Sequence, residues 1–270
     1  MAGDDLDFSF DTRVATRYDE VRGHPPDVSR TIGEVICQEA GPGARLLEPG
    51  VGTGRIALPL VAAGCDVVGV DLSAQMLAAL RSARQADRGR LDLVRSDISR
   101  LPFRPGVFDA VVCVHVLHLI EDWRGLLQRL LTILKPGGTI ILGRDWIDPD
   151  SFAGQLRNEF RRLVVELSET IVAPPGARAF VDALVEMGAA PEDEGAERTV
   201  VEWQTQLAPR QVLDEIRTRE DAESWVLPDD LLARVTAGLE DFAARTWEDT
   251  DRPQPVRRRF VQSIFRAPAA

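Results

Sequence analysis

The sequence predicts an α/β fold: a doubly wound, mostly parallel, Rossmann-like sheet of seven strands. Strand-like and helix-like segments alternate five times within about 100 residues, which is typical of a parallel sheet with helices on both faces. A three-glycine turn follows the first strand, as expected where backbone approaches a ligand at a helix N-terminus. Polar residues end or follow successive strands at Glu48, Asp71, Asp97 and His115. Ligands of such sheets bind at those strand ends.

Each element of this alternation follows from its residue pattern. Helices carry apolar residues at a period near 3.6, and buried parallel strands are continuous apolar runs. Glycine and proline mark the helix ends, and Ser73 is predicted to cap a helix. The predicted helices span residues 28–40, 55–63, 74–84 and 123–134, and the strands span 45–48, 65–71, 91–94, 108–114 and 139–142.

The alternation ends near residue 146, and a second region of helices and two strands follows. We expect these two strands to complete the sheet as an antiparallel pair, with the helices around them forming a cap. The predicted organisation is an N-terminal arm or lid (1–27), a core (28–147), a helical cap (148–197), the last strands of the core sheet (198–208 and 256–267) and a second cap insertion (209–255).

Composition limits the classes of partner. The 270 residues carry a net charge of −11, and an acidic surface is a poor electrostatic match to nucleic acid or to an anionic membrane. The three cysteines are scattered in apolar stretches and resemble buried residues of a reducing compartment. With no signal-peptide pattern and no apolar run of about 20 residues, we predict a cytoplasmic protein. No Cys/His cluster has zinc spacing, so no metal site is predicted.

The spacing of the glycines in this turn argues against two common kinds of nucleotide-binding site. Gly50, Gly52 and Gly54 have G-x-G-x-G spacing, whereas a dinucleotide site needs G-x-G-x-x-G, and Arg55 stands where its third glycine would be. A phosphate-binding loop is excluded because no lysine follows. Glu48, just before the glycines, would repel a pyrophosphate and would suit a cationic ligand.

This stretch resembles motif I of class I S-adenosylmethionine-dependent methyltransferases, E-x-G-x-G-x-G. Further motifs of that family follow in order, and the resemblance covers about residues 40 to 145. Within the class, the chain is most similar to small-molecule enzymes that include the ubiquinone/menaquinone-biosynthesis C-methyltransferases, through the segments LEPGVGTG, SDISRLPF and LKPGG.

The resemblance implies a cofactor, S-adenosyl-L-methionine, and residues that hold it. Glu48 would orient its ammonium, Asp71 would accept from both ribose hydroxyls, and Asp97 would bond the adenine amino group. The full set implied for cofactor binding is Glu48, Gly50, Gly52, Gly54, Arg55, Asp71, Leu72, Met76, Asp97, Ile98 and His115.

Residues beyond the fourth and fifth strands are candidates for the acceptor side. His115 and His118 are the candidate bases, sharing a face if the segment turns helically; the alternatives are packing beneath the cap or a cofactor contact by His115. Asp145 is expected to border the acceptor pocket, and the predicted substrate-binding residues are Tyr18, Arg22, His118, Arg144 and Trp146. The Pro-Pro signature of nucleic-acid amino-methyltransferases is absent after the fourth strand.

The function predicted is therefore transfer of a methyl group from S-adenosylmethionine to oxygen, nitrogen or carbon of a small molecule. The alternative is a protein of the same fold that binds S-adenosylmethionine without methylating, either cyclase-like or regulatory. A nicotinamide oxidoreductase is a third hypothesis, which the glycine spacing disfavours. The sequence makes no prediction of the oligomeric state.

Overall fold

A computed structural model of the protein describes residues 23–83, 89–168, 175–220, 222–225 and 227–269. The helices are α1 (Pro26–Ala40), α2 (Ala57–Ala63), α3 (Ala74–Ala83), α4 (Trp123–Ile133), α5 (Phe152–Leu167), α6 (Ala177–Glu186), α7 (Pro209–Arg217), α8 (Ala222–Trp225) and α9 (Asp229–Thr246). The strands are β1 (Arg45–Pro49), β2 (Asp66–Asp71), β3 (Leu91–Arg95), β4 (Phe108–Val114), β5 (Leu134–Ile147), β6 (Ala190–Pro191), β7 (Arg198–Leu207) and β8 (Gln254–Arg266).

The strands form one sheet in the order β3-β2-β1-β4-β5-β8-β6, with β7 paired to β8. The first five strands pair in parallel, and β6 pairs antiparallel with β8. Pro49 is opposite Val70, and Val114 is opposite Gly143. This register brings the residues after β1 beside the end of β2, and those after β4 beside the later part of β5.

The chain divides into two compact units. In the described part of the chain, the larger unit, the sheet unit, comprises residues 23–83, 89–145, 175–201 and 260–269. Its core is an apolar cluster that joins strand residues such as Leu47, Val111 and Ile140 to residues of α4 and α6. The apolar stripe of α1, at Val28, Ile32 and Ile36, is buried, as its helical spacing predicts.

Among the residues that the structure describes, the smaller unit, the helical unit, comprises residues 146–168, 202–220, 222–225 and 227–259. Helices α5, α7 and α9 supply its apolar core, with Phe152, Leu213 and Leu239 among the buried residues. Ser151 caps α5 by accepting a hydrogen bond from the backbone N–H of Gly154.

The mostly parallel α/β sheet is confirmed, with three differences from the prediction. Ala190–Pro191 forms a two-residue strand, so the sheet has eight strands within the described residues rather than the predicted seven. β5 runs to Ile147, five residues beyond its predicted end at residue 142. Helix α6, expected in the cap, belongs to the sheet unit, because Phe180, Val181 and Leu184 pack into its core.

The cysteine prediction also requires correction. Cys37 in α1 and Cys65 before β2 form a disulfide with their Cα atoms 6.0 Å apart. Only Cys113 remains a buried thiol of the kind we expected for all three. The two paired cysteines are 28 residues apart. Their proximity comes from the packing of α1 against α2, which ends two residues before Cys65, and their scattered spacing does not indicate it.

Candidate functional site

The glycine turn after β1 is held against the end of β2 by three successive backbone amides. Gly50 and Val51 donate to the carbonyl oxygen of Val70 at 2.8 and 3.0 Å, and Gly52 donates to Asp71 Oδ2 at 2.9 Å. All three glycines have positive φ, at 71°, 54° and 93° for Gly50, Gly52 and Gly54. Side chains other than hydrogen rarely adopt this conformation, so the turn depends on glycine.

Gly50 and Gly52 differ in what surrounds them. A Cβ on Gly50 would lie 2.6 Å from Val116 Cγ2, which leaves no room for a side chain. A Cβ on Gly52 would meet no described atom within 4 Å. The backbone of Gly52 therefore borders open space, into which a ligand can approach closely.

Asp71 ends β2 and organises the residues on both sides of it. Its Oδ2 accepts from Gly52, and its Oδ1 accepts from the backbone N–H of Ser73 at 2.8 Å. Burial raises the pKa of Asp71, and hydrogen bonds from backbone N–H groups oppose that rise. Next to it, Leu72 is a large apolar side chain that is 60% exposed, as expected of a residue that covers a flat ligand.

Ser73 caps α3, as predicted, because its hydroxyl accepts from the backbone N–H of Met76 at 3.2 Å. The side chain of Met76 is buried on α3. The structure thus places Met76 as a packing residue, whereas Leu72 is the exposed apolar residue of this segment.

Glu48, the carboxylate of the glycine motif, is only 4% exposed. Burial raises its pKa to about 8; the positive charge of Arg55 opposes this rise, and the carboxylate of Asp71 adds to it. Its Oε2 has no hydrogen-bond partner among the described residues. A buried acceptor without a donor is costly, and a ligand with N–H groups or a positive charge would satisfy it.

Asp97 and Ile98 follow β3. Asp97 begins a 3₁₀ turn, Ile98–Arg100, and its Oδ1 accepts from the backbone N–H of Ser99 at 2.8 Å. Hydrogen bonds from the Ser99 hydroxyl and backbone N–H lower the pKa of Asp97, so its exposed carboxylate is ionised at neutral pH. Ile98 is buried and contributes to the sheet-unit core.

Three side chains from separate segments meet at Asp145. His24 Nε2 lies 2.7 Å from Oδ1, Arg55 Nη1 lies 2.6 Å from Oδ2, and His115 Nε2 lies 3.2 Å from Oδ2. We call these four residues the Asp145 cluster. Burial opposes ionisation of Asp145, but Arg55 and the two imidazoles hold its pKa well below the usual range. The cluster therefore contains a carboxylate that stays ionised although it is mostly buried.

His115 has an unusual backbone conformation, with φ at 52°. His115 follows Val114, the last residue of β4, which is paired with Gly143 of β5. Asp145 lies two residues beyond Gly143 on the same strand. Positive φ in a residue other than glycine costs free energy and is concentrated at functional sites. The conformation brings the His115 imidazole to Asp145.

His118 does not join this cluster in the described contacts. Only Leu117–Leu119 forms a 3₁₀ turn, and the positive φ of His115 interrupts the backbone before it. The segment therefore does not turn helically from His115, so the condition under which the two histidines would share a face is not met.

The structure gives contacts for two of the remaining predicted acceptor-side residues, Arg144 and Trp146. Arg144 makes a bidentate ion pair with Glu197, at 2.5 and 2.6 Å, which engages its guanidinium within the protein. Trp146 lies in the helical unit, where the guanidinium carbons of Arg257 and Arg259 are 5.8 and 4.5 Å from its ring centroid. Tyr18 and Arg22 lie outside the described residues.

Sequence reasoning missed the connecting role of Asp145 and the place of His24. The available signal for Asp145 was its position shortly after the predicted end of the fifth strand, similar to the strand-end positions that had selected Glu48 and Asp71. For His24 there was no local signal, because 121 residues separate it from Asp145.

The described residues were also compared with the requirements of a metal site and of a membrane-spanning helix. No group of three or more His, Cys, Asp or Glu side chains among the described residues could hold a metal ion. None of the described helices combines the length and apolarity needed to cross a membrane.

Comparison with known proteins agrees with the Rossmann-like class that the fold defines. Residues 47–142 match a family described as "Methyltransferase domain". A demethylmenaquinone methyltransferase of Thermus thermophilus is 32% identical over 151 residues, which are 55% of this chain and 69% of that protein. A ubiquinone biosynthesis O-methyltransferase of Xanthomonas campestris is 30% identical over 120 residues, 44% of this chain and half of that protein.

Solved structures share the fold at low sequence identity. The YcgJ protein of Bacillus subtilis superposes with a TM-score of 0.56 at 16% identity, covering 89% of this chain and 99% of that one. A Haemonchus contortus phosphoethanolamine N-methyltransferase 2, solved with S-adenosyl-L-methionine, gives a TM-score of 0.53 at 19% identity, covering 97% of this chain and 58% of that one.

The chain belongs to the S-adenosylmethionine-dependent methyltransferase family, and S-adenosylmethionine is its cofactor. The resemblance inferred from the glycine motif is thereby confirmed.

Proposed function

We propose that the ends of β1 and β2 hold S-adenosylmethionine and that the protein methylates a small molecule. Glu48 would hold the ammonium of the methionyl part, Gly52 would let the backbone approach it, and Asp71 would hold the ribose hydroxyls. Leu72, Asp97 and Ile98 would surround the adenine. The observation that carries this assignment is the buried Oε2 of Glu48, an acceptor without a donor, beside a glycine turn that is open at Gly52.

The residues present fit a cationic, nucleoside-containing ligand on three further counts. Each carboxylate oxygen of Asp71 already accepts one backbone N–H, and its remaining lone pairs suit two hydroxyl groups. Leu72 offers an exposed apolar surface at the same strand end. The motif contains no lysine, and the carboxyl groups of buried Glu48 and half-buried Asp71 offer no positive charge to a pyrophosphate.

Arg55, one of the residues that the resemblance implies for cofactor binding, acts indirectly in this proposal. Its guanidinium pairs with Asp145 rather than extending as a lone cation. Arg55 would then act on the cofactor site through its charge, since it lowers the pKa of Glu48 against the effect of burial.

The cofactor supplies an electrophilic methyl group on a sulfonium sulfur. The protein's contribution is to position the acceptor in line with that group and, where the acceptor carries a proton, to remove it. A small-molecule acceptor is supported by the quinone-biosynthesis enzymes among the relatives and by the acidic charge of the chain.

The proposal is tested with methyl-labelled S-adenosylmethionine and a panel of small acceptors that includes demethylated quinols. We expect S-adenosylhomocysteine to form together with a labelled product. Cofactor binding without turnover across the panel would favour the non-methylating alternative. Binding of NAD in place of S-adenosylmethionine would contradict the proposal altogether.

Two histidine variants separate cofactor binding from transfer. We expect His115→Ala and His118→Ala to bind S-adenosylmethionine nearly as well as the unchanged protein. A loss of turnover confined to His115→Ala would identify His115 as the proton acceptor, and a loss confined to His118→Ala would move that role to His118. A large loss of cofactor affinity in His115→Ala would instead support its alternative role as a cofactor contact.

A further inference from the structure

The disulfide between Cys37 and Cys65 closes a loop that contains the glycine turn. Cys37 lies in the last turn of α1, and Cys65 follows α2. The 28-residue separation between them takes in β1, the turn at residues 50–54 and the whole of α2. A crosslink that closes a loop restricts the unfolded chain and so disfavours opening of the segment it encloses. The oxidation state of this pair therefore acts on the glycine turn through chain connectivity.

One sulfur of the pair is accessible and the other is buried. A cleft of about 300 Å³ opens at the disulfide, and both cysteines line it together with Gln38, Gly41 and Gly64. Cys37 is half-buried, whereas Cys65 is only 1% exposed. Thiol–disulfide exchange begins with attack on one sulfur, and its rate depends on access to that sulfur. A small thiol that enters the cleft can therefore reach Cys37 more readily than Cys65.

The backbone around the pair also accommodates the reduced form. Cys37 Sγ lies 3.5 Å from the carbonyl oxygen of Leu60. A disulfide sulfur carries no proton, so this contact becomes a hydrogen bond only when Cys37 is a thiol. The same carbonyl oxygen accepts from the backbone N–H of Cys65 at 3.0 Å, and its two lone pairs allow both donors. The reduced Cys37 thus has an acceptor in place without a change of backbone.

Packing between α1 and α2 does not depend on the disulfide. The side chains of Val28, Ile32 and Ile36 on α1 are buried. Gly33 lies so close to α2 that a Cβ on it would be 2.4 Å from the carbonyl oxygen of Pro59. Burial of apolar side chains stabilises the helix pair in either oxidation state. The protein should therefore stay folded when the bond is broken, and the bond can form again.

We propose that Cys37 and Cys65 form a reversible thiol-exchange site, at which Cys37 reacts with small thiols. The thiolate of the small molecule bonds to Cys37 Sγ, the bond between the two cysteine sulfurs breaks, and its electron pair leaves on Cys65 Sγ, which takes a proton from water. With a dithiol, the second thiolate then displaces Cys37 Sγ, which is protonated in turn. The protein pair is thereby reduced, and the dithiol is oxidised to its cyclic disulfide.

Reduction loosens the segment that holds the glycine turn, and this weakens cofactor binding. The effect on cofactor binding rests on the proposed function. In the reduced protein, the cofactor must order a turn whose enclosing loop is no longer closed, and ordering a segment costs conformational entropy. The affinity for S-adenosylmethionine should therefore fall by about threefold to tenfold on reduction.

The exchange is measured on the folded protein with dithiothreitol at pH 8. The reaction is stopped with acid, and free thiols are then alkylated in denaturant and mapped by mass spectrometry. We expect three alkylated cysteines after dithiothreitol and only Cys113 without it. A brief exposure to the monothiol cysteamine should place its adduct on Cys37. A pair that is reduced only in the presence of urea, or an adduct on Cys65 alone, overturns the proposal.

The consequence for the glycine turn is measured by amide hydrogen exchange and thermal denaturation of the oxidised and reduced proteins. The amides of Gly50 and Val51, which donate to Val70, should exchange at least about tenfold faster after reduction. The Tm should fall by at least about 5 °C. Equal exchange and equal Tm in the two states would overturn the proposed action on the turn.

Variants separate this pair from the third cysteine. The double variant Cys37→Ser, Cys65→Ser should resemble the reduced protein and lose its response to dithiothreitol. Cys113→Ala is the matched control, because Cys113 is a buried thiol in β4, and it should keep the full difference between the two states. A response that is lost in Cys113→Ala instead would assign the effect to the wrong pair.

Calorimetry with S-adenosylmethionine on the oxidised and reduced proteins tests the coupling to the cofactor. Equal affinities, together with faster exchange of the turn, would overturn that coupling. Failure to bind in both states would count against the proposed function. The alkylation result decides the exchange site in either case, because it requires no cofactor.

Discussion

Arg55 Nη1 lies 2.6 Å from Asp145 Oδ2, and this ion pair joins the segment after β1 to the later part of β5. The two side chains are only 10% and 18% exposed, so water screens the pair weakly. The same Arg55 opposes the rise in the pKa of Glu48, and the same Asp145 contacts His115. The ion pair thus connects the glycine motif, where the cofactor is proposed to bind, with His115, one of the two candidate bases.

Removal of this carboxylate should destabilise the protein strongly. In Asp145→Ala, Arg55 loses the carboxylate that balances its charge in a mostly buried position, which costs about 3 kcal/mol of unfolding free energy. The control is Asp109→Ala, which breaks the more exposed pair with Lys135 and should cost under about 1 kcal/mol. Urea denaturation at pH 7 compares the two variants, and equal losses would mean that the Arg55 pair is no more than a surface contact.

Asp71 should be essential for cofactor binding. It fixes the Gly52 amide and is proposed to accept from two ribose hydroxyls, and hydrogen bonds to a charged group contribute about 1.5–3 kcal/mol each. Asp71→Ala should therefore weaken S-adenosylmethionine binding by at least about 100-fold.

Asp66→Ala is the matched control for Asp71, since Asp66 is at the opposite end of β2 and accepts from the backbone N–H of Arg90. Isothermal titration calorimetry measures both variants. An unchanged affinity in Asp71→Ala would exclude Asp71 from the cofactor site.

Alanine substitutions at two glycines of the turn should have different effects, one mainly on stability and the other mainly on cofactor affinity. In Gly50→Ala the new methyl group meets Val116, so we expect loss of stability on top of the strain of positive φ. Gly52→Ala meets no described atom and should cost only about 1 kcal/mol from its φ of 54°. Its methyl group enters the open space beside the turn, so cofactor affinity should fall at least about tenfold. Thermal denaturation and calorimetry on both variants test this contrast, and full affinity in Gly52→Ala would place the cofactor elsewhere.

The α/β fold and the polar residues at the ends of β1 and β2 could be predicted from the sequence, because both follow from local patterns. Apolar runs and glycine stops define β1 and β2, and a strand end is also where Glu48 and Asp71 are found. Pairing between side chains is a tertiary property: 90 residues separate Arg55 from Asp145, and no local pattern relates them. The two-residue strand β6 is likewise too short to produce a periodic signal.

Cofactor binding should release protons through Glu48. Its pKa is about 8 in the protein without ligand, so it is mostly protonated at pH 7. Only the ionised form pairs with an ammonium group, and binding near neutral pH must therefore expel the proton. Affinity should rise with pH up to about 8, by at most about tenfold per pH unit. Calorimetry at pH 7 in buffers of different ionisation enthalpy should detect up to about one released proton per cofactor, and Glu48→Gln should abolish that release. A buffer-independent heat for the unchanged protein would contradict an ionic role of Glu48.

Glu48 should also make the ligand-free protein less stable at alkaline pH. Its pKa is raised by folding, from 4.5 to about 8, so between these values the folded state holds a proton that the unfolded state has lost. Stability therefore falls as pH rises through this window, by a few kcal/mol in total, and the loss is complete above about pH 8.

Glu48→Gln removes the titrating group while keeping the shape of the side chain. We expect it to become increasingly more stable than the unchanged protein between pH 5 and about pH 8.5, although it binds the cofactor more weakly. Urea denaturation of both proteins across this range measures the difference between their free energies of unfolding. Groups that titrate alike in both proteins do not contribute to this difference. A difference that does not change with pH would show that Glu48 is ionised throughout, and would remove the basis for proton release on binding.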